Sequence, residues 1–316
     1  MVDAVRPLNG EPSYTAKGER ALTFSSSFSA LSPRRSGQTT APLHAHPGDV
    51  SLVVPVKNNQ RGIDRLLTAF LHTHTPAQFP GELILVDNNS SPPLQVAPHY
   101  RERGLHVVLL SCTRLGPATA RNVGAQVAQG AWILFLDSDC LPTTTTLSGY
   151  LSHLNGAVAY AGSVLAAGTD VFSRYYESQA ILTPPIVVHD SGSEHPAYLI
   201  TANALVWKQA LLQIGGFNEQ IQSAAGEDID LGLRLWDVGP LAYAPHAHVL
   251  HVFEGGVSAF VKRFVRYGRG NRVLQRYYPQ ADLAPRPFSA CVPSFWNKLL
   301  AVAQYTSLWW GYHCIL

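Results

Sequence analysis

Charge is scarce in this chain. Asp, Glu, Lys and Arg make up only 14% of its 316 residues, well below the ~25% of a typical soluble domain. Lys+Arg 23 against Asp+Glu 21 leave a formal +2, so binding driven by phosphate charge is excluded as the main activity and no nucleic-acid partner is expected. Cysteine is equally sparse. Cys112, Cys140, Cys291 and Cys314 show no paired spacing, which excludes a disulfide framework or a four-cysteine zinc site and suits a reducing cytoplasm. No apolar run reaches spanning length: the nearest, LLAVAQYTSLWWGYHCIL at the C-terminal end, is broken by Gln304, Thr306, Ser307 and His313 and reads as amphipathic. The opening MVDAVRPLNGEPSYTAKGER scatters charge without an apolar run, Arg34-Arg35 precedes none, and Cys314 sits one position too late for a prenylation box, so neither leader nor lipid anchor is expected.

What is present is apolar: 46% of the residues are hydrophobic, enough for one large α/β domain or two smaller ones. Residues 1–48, rich in Ser, Pro, Gly and Thr, read as a poorly ordered extension. From Val50 the runs SLVVPV, ELILVD, LHVVLL and AWILFLD are strand-like; a helical segment carrying Ile63, Leu66, Leu67, Phe70 and Leu71 follows the first, a looped segment the second, and a helix of small residues over 117–129 the third. Apolar strands alternating with helices predict a mostly parallel central sheet with helices on both faces. In the second half AVAYAGSV and AYLITANALVW read as strands, and TPPIVVHDSGSEHP, irregular and rich in Pro and Gly, reads as a mobile acceptor lid. A helix is expected from Gly226-Glu227-Asp228, with Ile229, Leu233 and Trp236 as its apolar face. Another is expected over 257 to about 275, carrying Lys262, Arg263, Arg266, Arg269 and Arg272. The predicted organisation is an α/β domain over 49–255 and a C-terminal helical segment with its tail over 256–316.

Polar clusters punctuate the strand ends: Lys57-Asn58-Asn59 after the first, Asp87-Asn88-Asn89-Ser90 after the second, Asp137-Ser138-Asp139 after the fourth. In a parallel sheet these converge on one rim, where ligands bind. Asp137 and Asp139, two apart, can leave one strand face and share a divalent cation, or merely turn the chain. Asp87 can accept from a pyrimidine or ribose, or cap a turn. Arg121 and Asn122 lie in the small-residue helix, where a guanidinium can pair with phosphate. Glu227-Asp228 opens a helix, which favours ionised carboxylates that serve either as a general base or as ordinary caps. His246 and His248 share a strand face, a weak zinc option, and His251 at the strand end is the better candidate for a cation's shell.

In their order along 50–270, VPVKN, LILVDNNS, GPATARNVGA, FLDSD, GGFNE and GEDIDLGLRLWDVG resemble the family-two glycosyltransferases of GT-A fold. The resemblance implies a nucleotide-sugar donor, with a UDP-sugar favoured, Mn2+ or Mg2+, and an inverting transfer to an acceptor hydroxyl. Carried across by motif, it implies Asp228 as catalytic base, Asp137, Asp139 and His251 as metal shell, and Asp87 as nucleoside contact. It adds Pro55, Lys57, Asn89, Arg121, Asn122, Asp137 and Glu227 to the donor cleft. Asp87-Asn88-Asn89-Ser90 departs from the Asp-Asp-Gly-Ser of many relatives, and no Gln-x-x-Arg-Trp motif is present, which points to transfer of a single sugar. A catalytically silent nucleotide-sugar-binding scaffold is the alternative. Nucleotidyl transfer would need a Gly-rich loop where VPVKNNQRG stands. Lys262, Arg266, Arg269 and Arg272 recur on one helical face ahead of Phe295-Trp296 and Trp309-Trp310, so the C-terminal region reads as a peripheral contact with an anionic membrane, or as a helix and tail packed on the domain or on a second subunit.

Overall fold

A computed structural model of the chain describes residues 39–188 and 194–314. Most of the expected extension lies outside them, but residues 39–48 are part of the domain. Thr39 N–H donates to the Val238 carbonyl at 3.0 Å, Ala41 N–H to that of Gly156 at 3.1 Å, and Ala41 is buried. The ordered unit therefore begins earlier than residue 49.

The first half runs β1 (Val50–Val56), α1 (Gln60–Thr73), β2 (Glu82–Asp87), α2 (Pro98–Glu102), β3 (Val107–Ser111), α3 (Pro117–Val127) and β4 (Trp132–Leu136); it alternates as expected except for the short α2, which stands in a stretch read from sequence as a loop. Then come β5 (Cys140–Pro142), α4 (Thr146–Leu151), β6 (Ala159–Ala166), α5 (Val171–Ser178), β7 (Ile186–Val188), β8 (Glu194–Pro196), β9 (Asn203–Trp207) and α6 (Lys208–Gln213). The chain continues through α7 (Glu227–Trp236), β10 (Leu241–His251), α8 (Gly256–Tyr277) and α9 (Phe295–His313). Eight strands form one sheet in the order β3-β2-β1-β4-β9-β6-β10-β5. The strands from β3 to β4 are parallel, whereas β9 runs antiparallel to both its neighbours.

Strands β1, β2 and β4 are apolar along almost their whole length because helices cover both sheet faces. Alternate residues feed two cores: Leu52, Val54, Leu83 and Leu134 on one side, Val53, Ile84, Val86 and Phe135 on the other. At β3 this burial stops, since it is the sheet edge and Leu109 is exposed. Helix α1 starts at Asn59, whose Oδ1 accepts from Gly62 N–H at 3.0 Å, and packs Ile63, Leu66, Leu67 and Phe70 inward.

Several expectations change in the second half. Within the expected lid, β7 and β8 pair antiparallel, Ile186 with Pro196 and Val188 with Glu194, and residues in and beside them are tied down: Tyr243 Oη donates to the Pro184 carbonyl at 2.5 Å and His195 Nδ1 lies 2.9 Å from the Leu241 carbonyl. The expected lid's tip, 189–193, is outside the described residues. In α7 the deepest residues are Leu231 and Leu235, with Ile229, Leu233 and Trp236 only half-buried, because the helix lies between two apolar clusters. Strand β10 shifts register between Ala244 and His248, leaving His246 exposed. No metal-holding group among the described residues includes His246 or His248. Helices α8 and α9 cross backbone to backbone: a Cβ on Gly268 would collide with the Leu308 carbonyl, and one on Gly311 with that of Val265, so both positions need a residue without a side chain.

Candidate active site

In the sheet order, β2 lies on one side of β1 and β4 on the other, so their following loops part and leave a crevice at the strand carboxyl ends. A cavity of about 870 Å3 opens there. Its walls include Pro55 near the end of β1 and Lys57 just after it, Arg121 of α3, Asp137 and Asp139 after β4, Glu227 and Asp228 of α7, and His251 at the end of β10. Asn59 braces two of these loops, its Nδ2 donating to Ser138 Oγ at 2.9 Å.

Asp137 and Asp139 do not leave one strand face. Strand β4 ends at Leu136, and a tight turn follows in which Cys140 N–H donates to the Asp137 carbonyl at 3.0 Å. The two carboxylates take different partners. Asp137 Oδ1 accepts from Arg121 Nη2 at 2.8 Å, while Asp139 Oδ1 lies 3.4 Å from His251 Nε2. Candidate metal-ligating atoms therefore gather on Asp139, Cys140 and His251, all within 4.8 Å of one another.

Arg121 is buried and divides its guanidinium between two acids, Nη1 donating to Glu227 Oε1 at 2.9 Å and Nη2 to Asp137. Burial disfavours its charge, but Asp137 and Glu227 more than offset this and hold it protonated. The expectation that Arg121 is available to pair a phosphate is corrected: it is the central cation of a Glu227–Arg121–Asp137 chain that fixes α7 against the turn after β4. Glu227, also buried, is pushed up to about 7 by burial and the neighbouring Asp228 charge, against the pull of Arg121. Asp228 stands half-buried on the cavity wall; burial raises its carboxyl too, and Oδ1 accepts from Ile229 N–H at 2.9 Å.

Three donor-cleft expectations fall away from the wall. Asn122 uses both Nδ2 hydrogens, on the Phe217 carbonyl at 3.0 Å and Glu219 Oε1 at 2.9 Å, and its Oδ1 accepts from Phe217 N–H; it ties the GGFNE loop to α3. Asp87 takes its turn-capping role: Oδ1 accepts from Ser90 N–H at 2.9 Å and Oδ2 from Leu94 N–H at 2.8 Å. Burial raises its carboxyl, but these bonds and the Ser90 hydroxyl outweigh burial and hold it low. Asn89 turns away with φ 60 and donates to the Thr113 carbonyl at 2.7 Å, leaving Asn88 as the member of that loop on the cavity wall.

Residues from the C-terminal helix, read from sequence only as a basic stripe, complete the cavity. Arg263, Arg266 and Tyr267 of α8 line it. The Arg263 guanidinium lies 5.0 Å from the Phe253 ring centre and 5.4 Å from that of Tyr176, and Phe253 stacks on His251 at 4.2 Å. Spacing of four between Arg263 and Tyr267 was the available signal, but a helix exposes no preferred side until its neighbours are known. Arg272 is likewise removed from the expected stripe, since its Nη1 donates to the Tyr312 and His313 carbonyls at 3.1 and 3.2 Å.

Two of the three clustered groups fit a hard divalent cation. Burial and the Arg263 charge depress His251 to about 3, so the ring is neutral and offers a nitrogen lone pair, and its Nδ1 has no partner among the described residues. The 3.4 Å gap to Asp139 is long for a charge-assisted hydrogen bond. Burial keeps the Cys140 thiol protonated, which unfits it as a ligand for Mn2+ or Mg2+.

Residues 51–215, more than half of the chain, match the domain described as Glycosyl transferase family 2. The pre-mycofactocin glycosyltransferase of Mycobacterium tuberculosis is 30% identical over 245 residues, covering 73% of this chain and 48% of that protein. The putative polypeptide N-acetylgalactosaminyltransferase 13 of Drosophila melanogaster is 26% identical over 245 residues, 68% of this chain and 43% of its own length. The chain thus spans about half the length of the curated relatives it matches. Among solved structures, a mannosyltransferase from Pyrobaculum calidifontis in complex with GDP-Man and Mn2+ superposes with a TM-score of 0.51 at 16% identity, covering 90% of this chain and 77% of the other. The matched domain and the shared fold together make this chain a member of glycosyl transferase family 2 with the GT-A architecture.

Proposed function

We propose that this chain is a metal-dependent, inverting glycosyltransferase that moves one sugar from a nucleotide-sugar, of the UDP class, to an acceptor hydroxyl. The observation that carries the reading is the division of labour between adjacent acids. Glu227 is tied to Arg121, whereas Asp228 faces the cavity with its Oδ1 accepting from the Ile229 backbone N–H of its own helix. Asp228 takes the proton of the acceptor hydroxyl as the oxygen bonds to the anomeric carbon from the face opposite the leaving group. The bond to the nucleoside diphosphate breaks, and its electron pair leaves with the phosphate. Pro55 and Lys57 border the donor nucleotide at the end of β1. The Glu227–Arg121–Asp137 chain keeps Asp228 and the diphosphate region in register. Held by Asp139 and His251, Mn2+ or Mg2+ would neutralise charge gathering on the leaving diphosphate.

Product analysis with labelled UDP- and GDP-sugars, with Mn2+ and with chelator, tests this. Expected is release of UDP from one UDP-sugar, by transfer or by slow hydrolysis, dependent on metal and lost in Asp228→Asn. Donor binding with neither transfer nor hydrolysis in the wild-type chain would instead establish a silent binding protein.

A further inference from the structure

Three of the six tryptophans are exposed on one helix. Trp296, Trp309 and Trp310 are 58%, 42% and 54% accessible, and with Phe295, Leu299 and Val302 they form the outer face of α9, opposite the buried Leu300, Ala301, Gln304 and Ser307. At 1.5 Å per residue the stripe is roughly 22 Å long. Beside it runs a cationic strip. Lys262, Arg269 and Arg276 recur every seventh residue of α8, all exposed, and seven residues return to nearly the same side of a helix. That side adjoins Val265, Gly268 and Arg272, the positions that touch α9. Beyond residue 254 the sequence holds eight of the 23 Lys and Arg but only one of the 21 acids, Asp282, itself paired with Arg286.

We propose that the outer face of α9, with the basic strip of α8, is a docking surface for an anionic lipid bilayer, on which α9 lies in the interfacial plane. Aromatic rings and aliphatic side chains on one side of a helix, flanked by cations and free of acids, fit the boundary between acyl chains and anionic headgroups. No helix among the described residues is long and apolar enough to cross a membrane, so the contact is superficial. A second copy of this chain is a poorer occupant, because a two-fold pairing through this face would set cation against cation. The inner face of α9 supplies Gln304 and Leu308 to the cavity wall, so a docked bilayer would lie about one helix diameter, ~10 Å, from the site.

Flotation of the full chain with phosphatidylcholine vesicles, and with vesicles that also contain phosphatidylglycerol, tests the surface independently of any reaction. Binding is expected to rise with phosphatidylglycerol, to weaken with salt, and to shift tryptophan emission to shorter wavelength. Replacing all three of Lys262, Arg269 and Arg276 with Gln should lower affinity on the order of a hundredfold without changing the melting temperature. Trp309→Ser with Trp310→Ser should weaken binding further. Absence of binding to either vesicle, or equal binding to both with no effect of the Gln replacements, would overturn the proposal. So would a concentration-dependent dimer that the two Trp replacements abolish while vesicles are ignored, which would give the face to a second copy.

Discussion

Adjacent in sequence, Glu227 and Asp228 differ in what surrounds them, and their variants should differ accordingly. Asp228→Asn keeps the shape and removes the basicity, so turnover should fall at least a hundredfold while donor affinity, read by calorimetry, stays nearly unchanged. Turnover close to wild type would move the base elsewhere. Because burial raises Asp228 above its ordinary 3.8 and the base must be ionised, kcat/KM should decline on the acid side with an apparent pKa above that value. That limb reports the coupled acid pair. Glu227 predicts an effect on stability. Its carboxyl rises from 4.5 to about 7 on folding, so its favourable contribution is complete below about 4.5 and is lost as pH rises through about 7. In Glu227→Gln the decline in melting temperature between those limits should flatten; an unchanged profile would mean that Arg121 keeps Glu227 ionised throughout. Asp139→Ala should remove the gain in nucleotide affinity that Mn2+ confers, an effect visible when titrations with metal and with chelator are compared.

At the scale of elements, the start of α7 is a point of strain. Gly226, its N-cap, has φ 95 and lies where a Cβ would press on Leu274 at 3.0 Å. Gly226→Ala should destabilise by about 1–2 kcal/mol and lower turnover more than donor affinity, since it displaces the two acids and leaves β1 alone. Normal stability with normal turnover would show that the left-handed cap is dispensable. The crossing of α8 and α9 is a point of close backbone approach. Tyr175 Oη donates to Gln304 Oε1 at 2.7 Å, fastening α9 to α5, and Gly268 and Gly311 allow the helices to touch. Gly268→Val should lower the melting temperature more than a typical surface change and expose the cavity wall that α8 supplies, with limited proteolysis between 277 and 295 as the readout.

For the whole molecule, ligand binding and folding are linked. A UDP-sugar with Mn2+ at a hundredfold excess over its dissociation constant should stabilise the chain by about 2.7 kcal/mol, and Asp139→Ala should retain only the metal-free part. A thermal shift equal with chelator and with Mn2+ would leave the nucleotide reading intact and remove the metal.

From Val50 to Leu136 the strands were legible from the sequence because each buried strand is apolar on both faces, α1 because of its 3.6-residue stripe and α3 because of its small residues, patterns that depend on nearest neighbours alone. Helix α2, 5 residues long, is too short to show a period and reads as loop. Strand-end placement then sufficed to bring Lys57, Asp137 and Asp139 to one rim. What each polar side chain does there was decided by tertiary partners. Asp87 took the turn-capping alternative that its own loop already offered, whereas Asn122 bound to Phe217 and Arg121 tied to Glu227 are bonds across 95 and 106 positions, which carry no local signature. Asp137 and Asp139 were read as a shared pair because they stand two apart, and the turn after Leu136 gives them different partners, Arg121 and His251. Arg263 belongs to the same class, since a cationic helix position becomes a cavity wall only when Phe253 and Tyr176 receive it. Sequence pattern determines which elements form and which ends of strands meet; hydrogen-bond partners and packed rings, settled only when distant segments come together, determine which of the candidate groups remains exposed to a substrate.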